Sequence, residues 1–167
     1  YFENFDGLGF DASNGLPVPC WIAYYTCTTG GRTFPCGSAD GSNPTMAFTA
    51  DPGMTIFIAT DTIPVSGDSV FVSFRAQPNG NVDFWCGVMS DPYDSTTFIP
   101  IGNGIHTTNA NNTWGEYLFS TVGFSPDTSY RVAFKYRGTG YTGNWVNVDD
   151  IEIRVFDGCI RPMDLVA

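Results

Sequence analysis

Carboxylates, one imidazole and five thiols are the groups in this chain that could do acid–base or covalent chemistry. Hydrolysis of a glycosidic bond needs two carboxyl groups about 5–10 Å apart, one of them a proton donor. Glu3, Glu116 and Glu152 are the glutamates, and none falls in a recognisable catalytic pattern. Asp149 and Asp150 are adjacent, so on a strand their side chains face opposite ways and share no site. A Cys86–His106 nucleophilic pair would need a third group to orient the imidazole, and Cys86 sits in an apolar run that reads as a buried free thiol. No glycine cluster joins a strand to a helix, so there is no phosphate-cradling loop. Cysteines 20, 27, 36, 86 and 159 form no Cys-x-x-Cys pair and no zinc-type spacing with His106. Cys20, Cys27 and Cys36 crowd a loop-rich stretch in which one disulfide could form in an oxidising compartment. These residues point away from catalysis.

Non-covalent recognition is better supplied. Alternation puts Trp85 opposite in parity to Phe84 and Cys86, so if those two are core, Trp85 faces out. Trp114 follows the polar run Asn109-Ala110-Asn111-Asn112-Thr113, and Tyr141 and Trp145 flank a Gly-rich loop. Exposed aromatic rings stack on the apolar faces of sugars, while nearby Asn and Asp hydrogen-bond hydroxyls. Loops at the ends of a β-sandwich are where such sites usually lie. The alternative for each ring is a place in the core or as a loop anchor.

The elements that must position these residues are strands. Helical periodicity is almost absent, whereas short alternating runs recur. Val70, Val72 and Phe74 share one face of a run. Val132, Phe134 and Tyr136 point inward from another, with Arg131, Lys135 and Arg137 outward. Residues 150–155 alternate as cleanly, and further strands are expected at about 45–49, 54–60, 82–90, 97–101 and 115–121. Turn signals separate them, among them Asp51-Pro52-Gly53, Pro78-Asn79-Gly80-Asn81 and Gly138-Thr139-Gly140. One wet face per strand indicates antiparallel sheets, and their number suggests an all-β, two-sheet sandwich, with a closed barrel as the alternative. Residues 1–44 read as loop, and residues 158–167 as a linker after a domain spanning 1–157.

Composition bounds the partners. Charged residues are only 14% of the chain, so Thr, Ser, Asn and Gly must supply the polar surface, as in secreted β-proteins. Seventeen acids against seven bases give −10. That field repels nucleic acid and anionic membrane surfaces and suits divalent cations and neutral ligands. No stretch is apolar enough to insert as a membrane helix, and a monomer is expected for the isolated domain.

Several motifs then fall in the order seen in one family. Glu3-Asn4-Phe5-Asp6-Gly7 followed by Leu16-Pro17-Val18-Pro19-Cys20-Trp21 resembles a Phe-acid-Gly … Leu-Pro-x-Gly-Trp opening. Residues 56–64 running into 70–76 resemble paired central strands, and Val146-Asn147-Val148-Asp149-Asp150-Ile151 is similar to a closing Asp-Asp-Ile strand. The chain thereby resembles, over residues 4–156, the cleaved-adhesin domains of bacterial surface proteins, including gingipain adhesin modules, which are related to MAM and galactose-binding-like jelly rolls. Pro19-Cys20 in place of the usual Gly, and the cysteine-bearing insertion at 20–36, are departures. The segment 159–165 resembles the junction before a fibronectin type III domain. The resemblance implies a jelly-roll binding module on a secreted or bacterial surface protein, recognising glycan or a host extracellular protein; a spacer without its own ligand is the alternative.

It also implies a structural calcium where Asp6 meets Asp149. Parity adds to this, because Asp149 alternates with Ile151, Ile153 and Val155 and should point to the apolar side. An inward carboxylate is costly unless it is hydrogen-bonded or holds a metal. Calcium accepts six to eight oxygens in tolerant geometry, which the 37–43 segment, with Asp40 and Asn43, could supply. The alternative is an Asp149 that caps a loop through backbone amides.

Overall fold

The computed structural model describes residues 2–3, 21–25, 32–35, 46–50, 53–60, 69–122, 129–139 and 144–156. Among them are strands β1 (Phe2–Glu3), β2 (Trp21–Tyr25), β3 (Arg32–Pro35), β4 (Met46–Thr49), β5 (Thr55–Thr60), β6 (Ser69–Met89), β7 (Ile99–Pro100), β8 (Ile105–Asn111), β9 (Gly115–Val122), β10 (Arg131–Arg137) and β11 (Trp145–Phe156). A single 3-10 turn, Ser95–Thr97, is capped by Asp94, whose carboxylate accepts the Thr96 N–H at 2.9 Å. The all-β expectation holds, and the expected strands near 45–49, 54–60, 97–101 and 115–121 are present. Three segments inside the stretch read as loop, 2–3, 21–25 and 32–35, are strands, as is 105–111, where the sequence pattern predicts none. Ile105–Asn111 is a Thr- and Asn-rich run held by pairing rather than by an apolar stripe of its own, and Trp21–Tyr25 and Arg32–Pro35 are short runs held against β5 and β4.

All pairings are antiparallel and run in the order β2-β5-β10-β6-β11-β4-β3, with β7, β8 and β9 also on β6 and β1 on β11. The two layers of the sandwich are thus one curled sheet, joined through β6. The N-terminal part of β6 lies between β9 and β11, and its C-terminal part pairs with β10, β8 and β7. Even-numbered residues of β6 (Val70, Val72, Phe74, Ala76, Val82, Phe84, Cys86, Val88) are buried throughout. Rings from the two layers meet between them. Phe48 of β4 lies 5.1 Å from Phe84 and 6.2 Å from Phe134, edge to face, and Phe74 lies 5.2 Å from Phe134.

The turn expected at residues 78–81 is instead a bend inside β6. Pro78 cannot donate to a ladder, and β8 and β9 part at that point, so that residues 112–114 face residues 77–78. Gln77 Nε2 donates to the Asn112 carbonyl at 3.2 Å across the gap. Gly80 takes φ +75°, and the register shifts between Gly80 and Val82. A Cβ at Gly80 would fall onto Asn144 Oδ1, so this position needs glycine for both its dihedral and its space. The turn chemistry was read correctly, but it bends a strand round the core rather than ending it.

A bulge likewise alters the reading of β11. The register with β6 slips between Asp149 and Glu152, and Asp150 sits at φ +50°. Val146 and Val148 face the core before the bulge, Ile151 and Ile153 after it. Asp149 therefore pairs opposite Arg75, on the face away from the core, and does not share the face of Ile151 and Ile153. It is nevertheless 1% exposed.

Candidate functional site

The outer face of β5, β10 and the C-terminal part of β6 gathers aromatic and polar side chains. Ile56 and Ile58 of β5, Phe134 and Tyr136 of β10, and Phe84 and Cys86 of β6 face the core, so period-2 alternation sends Phe57, Lys135 and Trp85 to the other side. Register brings them together: Lys135 is opposite Phe57 on one side and Trp85 on the other. The Lys135 Nζ lies 4.8 Å from the Trp85 ring centroid, 5.7 Å from Phe57 and 5.6 Å from Phe98, a cation over three rings. Burial, and secondarily the neighbouring Arg137, hold the Lys135 ammonium below its ordinary lysine value.

The half-buried Trp85 is fixed from its other flank. His106 of β8 meets it edge to face with centroids 5.0 Å apart. The His106 ring nitrogens contact Asp83 Oδ1 and the Asn103 carbonyl, each at 2.8 Å. The Gly102–Gly104 turn packs directly on the indole, where a Cβ at Gly104 would come within 2.6 Å of Cδ1. Phe57, 3% exposed, is covered there with Ala59, Met89 and Ala133 against Phe98, so the ring a ligand could stack on is the half-buried Trp85, with an ammonium, a carboxylate and an imidazole around it to hydrogen-bond a polar edge.

The expected site residues do not form one cluster. Trp85 faces out, as its parity required. Trp145 is opposite Asn79 on β6, six residues or about 20 Å along the strand from Trp85. Trp114 adjoins the same stretch of β6 from the β8–β9 side, two residues after the Asn112 that accepts from Gln77. Both are half-buried. Tyr141, Asp6, Asp40 and Asn43 lie outside the described residues, as do Cys20, Cys27, Cys36, Cys159 and the 157/158 boundary. Lys135, Phe98, His106 and Asp83 were not singled out as a site. The outward bases of the 131–137 run were visible as a pattern, but only register shows that they flank Trp85.

Asp149 Oδ1 accepts the Asp150 N–H at 3.0 Å, a local backbone interaction of the kind expected of a capping carboxylate. Asp150 lies 3.9 Å from Arg75, so the two aspartates do form separate environments. Beside them on the outer face of the second layer is a shallow depression of about 570 Å³ lined by Ser73, Arg75, Glu116, Leu118 and Asp150. Cys86 is fully buried on the core side while His106 is on the outer face, which removes them as a nucleophilic pair; burial pushes the thiol pKa up.

No protein-family model matches the sequence, and no curated protein matches it. Solved structures share its fold. The K1 cleaved adhesin domain of Lys-gingipain from Porphyromonas gingivalis aligns with TM-score 0.61 at 16% identity, over 94% of this chain and 98% of that one. The K3 domain of the same protein aligns at 0.59 and 17% identity, over 93% and 98%. A CBM22-1 xylan-binding domain from Paenibacillus barcinonensis aligns at 0.58 and 12% identity, over 95% of both chains. The chain thus has the β-sandwich fold of cleaved adhesin domains and carbohydrate-binding modules.

Proposed function

We propose that this chain is a non-catalytic carbohydrate-binding module of a secreted or bacterial cell-surface protein, with the outer face of β5, β10 and β6 as its ligand platform. The observation that carries this reading is the setting of Trp85: a half-buried indole on a rigid central strand, with Lys135, His106 and Asp83 around it. A ring held by a strand loses little freedom when a ligand stacks on it. The fold likeness supports the reading, since one similar structure is a xylan-binding domain and another, at TM-score 0.52 and 14% identity over 83% of this chain and 90% of that one, is a module in complex with β-1,4-galactotriose. Trp114 and Trp145 would serve a second contact region on the Gln77–Asn79 side. A role in adhesion to host protein is the second reading, favoured by the exposed apolar side chains Tyr93 and Ile99, 64% and 48% accessible.

The test is a binding screen of the purified chain on arrayed glycans and extracellular-matrix proteins. A saturable glycan signal reduced at least ten-fold by Trp85→Ala is expected. Glycan binding unaffected by that change would reject the platform, a signal on matrix proteins alone would favour adhesion, and silence from folded protein would favour the spacer.

A structural calcium is part of the proposal. Asp149 suits it as a carboxylate that is almost fully buried on a bulged strand, a placement that is costly without hydrogen bonds or a cation. The described residues gather no group of three or more His, Cys, Asp or Glu side chains around a point, so Asp6, Asp40 and Asn43 would have to complete the oxygen set. Chelation with EDTA should lower the melting temperature and calcium should restore it; an unchanged melting temperature with no metal in the purified protein would reject the site.

A further inference from the structure

The chain carries −10 overall and only seven bases, yet three of them, Arg131, Lys135 and Arg137, project from the outer face of the single strand β10. Two bases on the second layer, Arg75 and Arg154, are paired locally. Arg154 grips Glu152 with two hydrogen bonds at 2.8 and 2.9 Å, and Arg75 is paired with Asp150. Arg131, Lys135 and Arg137 make no ion pair among the described residues. Arg131 donates to the Ser90 carbonyl at 3.3 Å, and its buried Nε has no hydrogen-bond partner there. Asp83, opposite Arg137 in the register, hydrogen-bonds His106 instead of pairing with Arg137. Among the described residues these three bases form a cationic stripe without an ion pair, and such a local patch attracts an anion. The global charge does not prevent this, because its field is screened within about 8 Å at physiological salt whereas contact pairs are screened much less.

We infer that the platform is built for an acidic glycan, with Lys135 and Arg137 receiving the anionic groups of sugars whose rings lie against Trp85. The inference rests on the carbohydrate-binding reading and names the ligand class of that same face. Carboxylate and sulfate are both met by these donors.

The experiment compares three polymers by titration: polygalacturonate, its fully methyl-esterified form and a sulfated galactan. Esterification keeps the backbone and removes the charge. Polygalacturonate or the sulfated galactan is expected to bind at least ten-fold tighter than the ester, and the stronger of the two identifies the anion. Arg137→Gln should weaken the charged polymer roughly ten-fold, the loss expected for one charge-assisted hydrogen bond, without changing binding to the ester, whereas Lys135→Met, which also alters the surroundings of the Trp85 ring, should weaken the charged polymer more than the ester. Both side chains reach solvent, and unaltered circular dichroism and melting verify folding. Equal affinity for ester and acid, or no effect of either substitution, overturns the inference. Should a neutral glycan bind and depend on Trp85 while charge makes no difference, the carbohydrate-binding reading stands and this one falls. Absence of binding to every charged polymer overturns it as well.

Discussion

Removing both donors to the Asn144 carbonyl should destabilise the protein by more than the sum of removing each. Asn144 stands at the start of β11, 9% exposed, and its carbonyl accepts from Tyr136 Oη at 3.0 Å and from Thr49 Oγ1 at 3.2 Å. Tyr136→Phe deletes one donor with no change in packing and should cost about 1 kcal/mol, the net worth of a typical hydrogen bond. Thr49→Val deletes the longer, half-buried one and should cost about 0.5–1 kcal/mol. In each single variant the carbonyl keeps one partner. In the double variant it keeps neither, and an orphaned buried acceptor costs a further 1–3 kcal/mol of unrecovered desolvation. The expected total is therefore about 3–4 kcal/mol, with a coupling of at least 1 kcal/mol. Urea unfolding of the four proteins measures it, provided the m-value stays constant. Additivity within about 0.5 kcal/mol would refute the reasoning, and would mean that water reaches the carbonyl or that its neighbours relax.

Burial, and secondarily the Asp83 carboxylate, push the Tyr136 pKa up to about 12. Its neutral form is thus favoured in the folded state, so its stability contribution is complete below pH about 10 and is lost as pH rises toward 12, at about 1.4 kcal/mol per pH unit. Urea titrations across that range should show a shallower loss for Tyr136→Phe than for the parent; parallel slopes would contradict it. Gly80→Ala should cost more than 3 kcal/mol, since φ +75° alone penalises a side chain by about 1–2 kcal/mol and the new Cβ displaces Asn144. A chemical-denaturation midpoint close to that of the parent would show that the bend relaxes. Phe134→Ala should cost about 3–5 kcal/mol, because Phe134 is fully buried with Phe48, Phe74 and Phe84 all within 6.2 Å; a loss under 1 kcal/mol in the same assay would show that the two layers do not meet at these rings.

Much of the architecture follows from alternation alone. The period-2 pattern through Val132, Phe134 and Tyr136 puts those side chains in the core and Arg131, Lys135 and Arg137 outside, because successive residues of any strand point to opposite faces. The same rule correctly buries Cys86 and turns Trp85 outward. What alternation cannot locate is an interruption of its own phase. One extra residue at Asp150 sends Asp149 to the face of Arg75, and the bend at Pro78-Asn79-Gly80 continues a strand where the local chemistry reads as a turn.

The composition and period of the chain, then, determined that it is an all-β fold and which side chains form its core. These are local properties, set by backbone geometry and hydrophobicity residue by residue. The tertiary structure alone decided which outward residues are neighbours. Phe57, Trp85, Phe98, His106 and Lys135 come from five separate places in the chain, and only the antiparallel register of β5, β10, β6 and β8, with Phe98 delivered by the segment entering β7, brings them together. Register depends on pairing between distant segments, so the platform could not be read from any one stretch of sequence.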